Sequence, residues 1–263
     1  MTAQVLAGVG EARLSAFRAA ARAARMDPDD PWVGGYVDYE WTHLRPVLDV
    51  YGIDPAGKKV LEFGSNVGAS GIVLAKLGAQ VTGVDVDPAF VAVANANIAL
   101  NGVESGARAL HVPDTRAMPL DSDAFDLVIA NSVLEYVPSA LLVEVMTEIH
   151  RVMKPRGRML VLGTASRIAL REIHSHRWLV NYLPRFVDGI VGKDLQRGLS
   201  PFLLKRAIAG RFDVECKGEW LAAREAVHGS PGLPIRAVAL AAGALDMAPG
   251  WLSPNIELML RKV

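Results

Sequence analysis

Lys59-Val60-Leu61-Glu62-Phe63-Gly64-Ser65-Asn66-Val67-Gly68 is the stretch on which the fold turns. Its apolar run, Val60 to Phe63, is too short for a helix and stops at a glycine, so it reads as a buried strand entering a turn. Across Gly68 the apolar-rich stretch Val67 to Leu77 reads as a helix. Outward from this unit the alternation repeats. Gln80 to Asp85 reads as a strand, Pro88 to Leu100 as a helix, and Ala107 to His111 and Phe125 to Ala130 as strands. Ser139 to Met153 reads as a helix and Arg158 to Gly163 as a fifth strand. Strands alternating with helices predict βαβ units, hence a mostly parallel sheet covered on both faces. Phe212 to Cys216 and Ile256 to Leu260 bring the expected strands to seven and are expected to form an antiparallel edge.

The segments outside this series carry other patterns. Thr2 to Arg25 is an Ala-rich amphipathic helix with Arg13, Arg18, Arg22 and Arg25, superficially like an organelle transit peptide. Glu11 and the stripe of Val5, Leu6, Val9, Leu14 and Phe17 favour a helix that packs on the domain. Asp27-Pro28-Asp29-Asp30-Pro31 ends it. Tyr36 to Tyr51 reads as a second helix, broken or kinked at Pro46, with Tyr36, Tyr39 and Trp41 expected in the core. Thr164 to Gly210 has no strand-like run and is expected to form helical insertions. The expected organisation is a helical cap over 1–52, a cofactor-binding α/β core over 53–163, a helical substrate-binding insertion over 164–210, and completion of the sheet over 211–263.

The glycine turn has a chemical meaning. Gly64 and Gly68 flank a turn whose missing side chains let a ligand approach the backbone at a helix N-terminus, although a tight turn alone would use the same glycines. The next strand ends in Asp85, about 20 residues on, where a carboxylate can accept both hydroxyls of a ribose. Asp87, before Pro88, suits helix capping better. A nicotinamide dinucleotide and S-adenosylmethionine both fit this much. A pyrophosphate wants a glycine where Asn66 stands, and Glu62 beside it would repel by several kcal/mol at about 4 Å. Near an α-amino group Glu62 is favourable, so the cofactor reads as cationic.

At this point the motifs resemble class I S-adenosylmethionine-dependent methyltransferases over roughly Lys59 to Gly163. Val60 to Gly68 resembles the family's glycine-rich first motif, with Asn66 for a usual glycine. Val81-Thr82-Gly83-Val84-Asp85-Val86-Asp87-Pro88 resembles the second, whose acid binds the ribose. Asp114, before Met118-Pro119-Leu120, matches the acid that receives the adenine amino group. Phe125 to Val137 is similar to the fourth motif, in which the backbone at Asn131 holds the methionine part. Glu148 to Arg158 resembles the helix, turn and strand that close the core. The resemblance implies a Rossmann-like fold, S-adenosylmethionine as cofactor, and cofactor contacts from Glu62, Gly64, Ser65, Asn66, Gly68, Asp85, Val86, Asp114, Thr115 and Asn131. Glu135 and Tyr136 read either as a helix start or as lining of the substrate mouth. Methylation of amino nucleobases is disfavoured, because such enzymes resemble one another in a Pro-Pro-aromatic stretch where this chain has Ser132-Val133-Leu134.

Composition narrows the partners. Over 263 residues, 28 Lys and Arg balance 28 Asp and Glu, which argues against a protein that binds nucleic acid by neutralising phosphates. One cysteine, Cys216, excludes an internal disulfide and any multi-cysteine metal site, and fits the cytoplasm; no metal is expected. No apolar stretch approaches the ~18 residues of a membrane span.

A sulfonium methyl is already activated, so orientation of the acceptor is the main task. A hydroxyl acceptor gains from a base titrating near neutral pH, which points to histidine. The candidates are His174, His176 and His43. Arg171, His174, Arg177 or Trp178, and Asn181 recur at helical spacing, so they are expected on one face, either solvated or lining a pocket. Arginines there suit an anionic or phenolic small molecule. The expected function is methyl transfer to a small-molecule acceptor at a hydroxyl oxygen. The alternatives are a nitrogen or carbon acceptor, a nicotinamide-dependent oxidoreductase on the same fold, and a non-catalytic cofactor-binding homologue.

Overall fold

Strand β1, Lys59–Phe63, forms where the sequence places it, and Val60, Leu61, Glu62 and Phe63 are all buried. Burial on both faces is what a central parallel strand needs. The computed structural model describes residues 3–172, 176–184, 197–215 and 217–263, with the backbone alone for 3–9. β2 (Gln80–Asp85) pairs parallel with β1, Val60 opposite Val81 and Phe63 opposite Val84. β3 (Ala107–His111) pairs parallel with β2. With β4 (Phe125–Asn131), β5 (Met153–Ala165), β6 (Phe212–Glu215) and β7 (Asn255–Lys262) the sheet has seven strands in the order β3-β2-β1-β4-β5-β7-β6. β7 runs antiparallel to both β5 and β6, so the expected antiparallel edge is present, with the reversed strand one place inside it. The fold is the expected mostly parallel, Rossmann-like α/β sheet flanked by helices.

The chain divides into two compact units, Met1–Pro119 with Phe125–Leu127, and Leu120–Ala124 with Val128–Val263. In the first, α1 (Ala3–Ala23) packs on α4 (Pro88–Leu100) through a face that includes the buried Phe17 and Ala21, and α2 (Tyr36–Val50) packs on α3 (Ala69–Lys76). Pro46 does not break α2. Its missing amide removes one backbone bond, a cost offset by burial of Leu44, Val47 and Leu48 on the same helix. Val37, Glu40, Leu44, Val47 and Leu48 occupy the buried stripe. The aromatic residues therefore fall beside it, contrary to the core position expected of them: Tyr39 is 37% exposed and meets Trp32 edge-on at 4.9 Å.

Asp87 caps α4, accepting the Ala89 amide at 2.8 Å, with Pro88 in the first helical position. Asp87→Ala is expected to lower unfolding stability by about 1 kcal/mol, read by urea denaturation, with cofactor affinity intact.

In the second unit, α5 (Leu142–Val152) packs on the helix Pro201–Ile208. The helical face expected of Arg171, Arg177, Trp178 and Asn181 does not form. Arg171 and Trp178 face each other in an antiparallel bridge, and the Leu179 amide donates to the Leu170 carbonyl at 2.6 Å. The spacing was compatible with a helix, but backbone groups here pair across a turn, with His176 and Leu179 at positive φ, so side chains three or four apart do not share a side. A 3-10 turn over Val180–Tyr182 and the helix Pro201–Ile208 are the helical pieces among the described residues of that segment. No helix among the described residues is long and apolar enough to cross a membrane.

Candidate functional site

The carboxyl ends of β1 and β2 carry the site residues of the first unit. After Phe63 the chain turns through Gly64 at φ 78°, Asn66 at φ 45° and Gly68 at φ 75°. Asparagine is among the side-chain-bearing residues that best tolerate this left-handed region, which explains its presence where a glycine is usual. Gly64 and Ser65 donate their amides to the Val84 carbonyl at 2.9 and 3.0 Å, stitching the turn to β2. A Cβ on Gly68 would lie 3.3 Å from the Ala94 Cβ, so this glycine also lets α4 approach. Asn97 of α4, 3% exposed, donates to the Val67 carbonyl at 2.8 Å and holds the turn from behind.

Asp85 closes β2, and its carboxylate is held from two sides. Oδ2 accepts the Asn66 amide at 2.9 Å and Oδ1 the Asp87 amide at 3.1 Å. A carboxylate offers about four lone-pair sites, so two remain for a diol. Val86, next in sequence, is exposed and gives an apolar surface beside it. An acid for a ribose, an apolar patch for a flat base and a turn without intruding side chains fit an adenosine-bearing cofactor.

Glu62 is placed differently from the expectation that it faces an amino group. Its side chain is buried, and Oε1 accepts the Gly71 amide at 2.9 Å, inside the first turn of α3. Burial, with Glu40 and Asp85 nearby, pushes its carboxyl up to about 8, against the lowering by the Gly71 and Ser70 amides. The anion-attracting N-terminus of α3 is thus already served by an internal carboxyl, which disfavours a pyrophosphate there. A Cβ on Gly71 would stand 2.5 Å from Oε2, so a side chain there would displace the Glu62 carboxyl from this position. Glu40 of α2, buried at 2% exposure, receives the Ser70 hydroxyl at 3.3 Å, and burial together with Glu40 pushes the Tyr36 phenol up. Ser65 Oγ is buried without a hydrogen-bond partner.

Asp114 is exposed and gripped by Arg116, whose Nε and Nη2 donate at 2.9 and 2.8 Å. That guanidinium holds the Asp114 carboxyl down at about 2. An adenine amino group would share Asp114 with this fork. Thr115 lies between them, partly exposed.

In the second unit, Asn131 ends β4 and Ser132 follows at φ 50°. The Ser132 amide donates to the Leu162 carbonyl and its hydroxyl to the Gly163 carbonyl at 3.3 Å. A Cβ on Gly163 would collide with Ser132 Oγ, so the glycine allows these strand ends to meet. Glu135 is buried, accepting the Ala165 amide at 3.2 Å, while Tyr136 is exposed.

Of the candidate bases, His43 lies on α2, where its ring stacks on Tyr39 at 3.6 Å and Nδ1 sits 2.7 Å from the Tyr39 carbonyl. A carbonyl only accepts, so the proton is fixed on Nδ1 and Nε2 is the basic nitrogen. His176 is exposed, and its carbonyl accepts from Arg171. His174 lies outside the described residues. Glu40, Asn97 and Arg116 were missed by sequence reasoning. Arg116 was signalled by its place two residues after Asp114; nothing in the pattern marked the other two. No group of three or more potential metal ligands occurs among the described residues.

Residues 61–161 match the family model described as a methyltransferase domain. A ribosomal protein L11 methyltransferase from Symbiobacterium thermophilum is 31% identical over 141 residues, 51% of this chain and 42% of that protein. A ubiquinone biosynthesis O-methyltransferase from Xanthomonas axonopodis pv. citri is 35% identical over 115 residues, 44% of this chain and 46% of that protein. The chain thus spans less than half the length of these curated relatives. Geranyl diphosphate C-methyltransferase from Streptomyces coelicolor A3(2) shares the fold with a TM-score of 0.51 at 16% identity, covering 82% of this chain and 75% of that one.

Proposed function

We propose, from the match of residues 61–161 to a methyltransferase domain, that the chain is a class I S-adenosylmethionine-dependent methyltransferase that methylates a small molecule, anionic or phenolic, at a hydroxyl oxygen. The observation that carries the cofactor part is the Asp85 carboxylate, held by two amides beside a glycine turn with acceptor capacity left for a diol. The oxygen acceptor is supported by the similarity to a ubiquinone biosynthesis O-methyltransferase and by a histidine of fixed tautomer on the helix packed against α3.

When bound, the cofactor supplies a methyl group on a positively charged sulfur. Asp85 holds the sugar, the turn from Gly64 to Gly68 supplies backbone without bulk, and Glu62 keeps that turn in place from below. His43 is assigned to take the hydroxyl proton at Nε2, with His174 and His176 as the other candidates. Orientation contributes most of the acceleration, and the base roughly a further hundredfold.

Three measurements test this reading. Calorimetric titration is expected to show binding of S-adenosylhomocysteine and none of a nicotinamide dinucleotide; the reverse would overturn it. A panel of phenols, hydroxy acids, amines and carbon nucleophiles is expected to accept labelled methyl on a hydroxyl, whereas labelling of amines or carbon alone refutes the oxygen assignment. His43→Gln is expected to lower kcat about a hundredfold with unchanged affinity for S-adenosylhomocysteine. Full activity removes His43 from the role, and the same change at His174 or His176 then identifies the base.

A further inference from the structure

The second unit has a surface that the methyl-transfer reading does not use. Beyond β5 the chain, at Leu199, lies beside its point of departure. The Leu199 amide donates to the Ala165 carbonyl at 2.7 Å, and the Arg167 amide to the Leu199 carbonyl at 2.9 Å. Asn181, 3% exposed, ties the two sides: its Nδ2 donates to the Ala169 carbonyl at 3.0 Å and its Oδ1 accepts the Gly198 amide at 3.2 Å. Arg171 and Trp178, on the first of these segments, form an antiparallel bridge, and the helix Pro201–Ile208 begins two residues after Leu199 on the second.

Both segments present the same chemistry to solvent. On the first, Trp178 is 69% exposed, with Leu170, Leu179 and Tyr182 also exposed. On the second, Phe202 is 80% exposed while Leu204, Ala207 and Ile208 of the same short helix are buried. Large apolar side chains turned outward in two places, on segments hydrogen-bonded to each other, are not the scatter of single exposed residues on an ordinary surface. The charged residues among them have one sign. Arg171, Lys205 and Arg206 are exposed. Across the described residues 164–172, 176–184 and 197–211 the one acid is Glu172, which is buried at 1% exposure. In a chain with 28 basic and 28 acidic residues, this is a local segregation of charge.

We propose that the aromatic and basic residues exposed on the described segments 170–172, 176–182 and 202–206 seat the protein on an anionic phospholipid bilayer. Tryptophan and tyrosine place an apolar ring with a polar edge at the headgroup level, phenylalanine and leucine reach the acyl boundary, and arginine and lysine pair with lipid phosphates. A second copy meeting the same face about a twofold axis would set cations against cations, which disfavours that occupant. A long polyanion would meet the cations but leave Trp178, Phe202 and the leucines facing water.

Vesicle flotation tests the proposal with the full chain. The protein is expected to float with vesicles of equimolar phosphatidylglycerol and phosphatidylcholine, to stay in the dense fraction with phosphatidylcholine alone, and to be released at high salt. Replacing Lys205 or Arg206 by Gln is expected to weaken the vesicle partition about fivefold each. W178S and F202S are expected to weaken it about tenfold or more. Circular dichroism and S-adenosylhomocysteine titration, unchanged in each variant, exclude unfolding as the cause. Failure to float with the anionic vesicles, or flotation that all four variants retain in full, overturns the proposal. A wild-type dimer that W178S converts to monomer would assign the face to a second copy instead.

Discussion

Asp85→Ala is expected to weaken binding of S-adenosylhomocysteine by about 1.5 to 3 kcal/mol, ten- to a hundredfold, as read by calorimetry. The charge-assisted hydrogen bonds to the sugar are lost. The Asn66 and Asp87 amides also lose their acceptor, so the turn that should meet the ligand is loosened at the same time. Asp85→Asn separates the two effects, because its carboxamide oxygen can still take one amide while its charge is gone. An intermediate affinity for Asn is expected. Unchanged affinity for the alanine variant would remove the ribose role, and with it the carrying observation of the proposed function.

Glu62→Gln is expected to change the pH dependence of stability and leave the cofactor bound. Burial raises the Glu62 carboxyl to about 8. The native state therefore holds a proton that the unfolded chain, with an ordinary glutamate, has released. Stability from this group is complete below about pH 4.5 and is lost as pH rises through about 8. The wild type is expected to lose on the order of 3 kcal/mol between pH 5 and pH 8 from this source. Glutamine keeps an acceptor oxygen for the Gly71 amide and carries no charge, so the variant should lack this fall and be the more stable protein at pH 8. Thermal melts across that range measure it; parallel profiles would contradict the assignment. Affinity for S-adenosylhomocysteine is expected to stay within about threefold, since the carboxyl is spent beneath the turn. A large loss would return Glu62 to the role of meeting an amino group.

These two acids show why some of the site is legible in a sequence and some is not. Asp85 follows from its place at a strand end about twenty residues past a glycine turn, a distance set by the length of one helix and one strand. Glu62 sits in the same motif, yet its partner is an amide nine residues on, reached by a side chain that points inward. Whether a carboxylate faces a ligand or a helix end depends on side-chain direction, which the motif does not encode. Glu40 and Asn97 were invisible for a related reason. Each lies on a helix and gains its meaning from another element: Glu40 from Ser70 on α3, Asn97 from the Val67 carbonyl.

The histidines mark the limit of periodicity as evidence. Arg171, Arg177, Trp178 and Asn181 share a helical face only if the backbone bonds locally, and here it pairs across a turn instead. Their spacing was real and its interpretation failed, because residue spacing constrains side chains only once the backbone conformation is known.

The strands, their alternation with helices, the glycine turn and the acid of the second strand are legible in the order of residues along the chain. Those features rest on local rules: short buried runs, positive φ at Gly64, Asn66 and Gly68, and a proline-led helix after Asp87. Packing between distant segments sets which polar groups are consumed inside the protein and which aromatic rings of α2 stay at the surface. Those outcomes depend on the neighbours that residues distant in the chain provide, and burial and hydrogen-bond satisfaction are properties of such neighbourhoods.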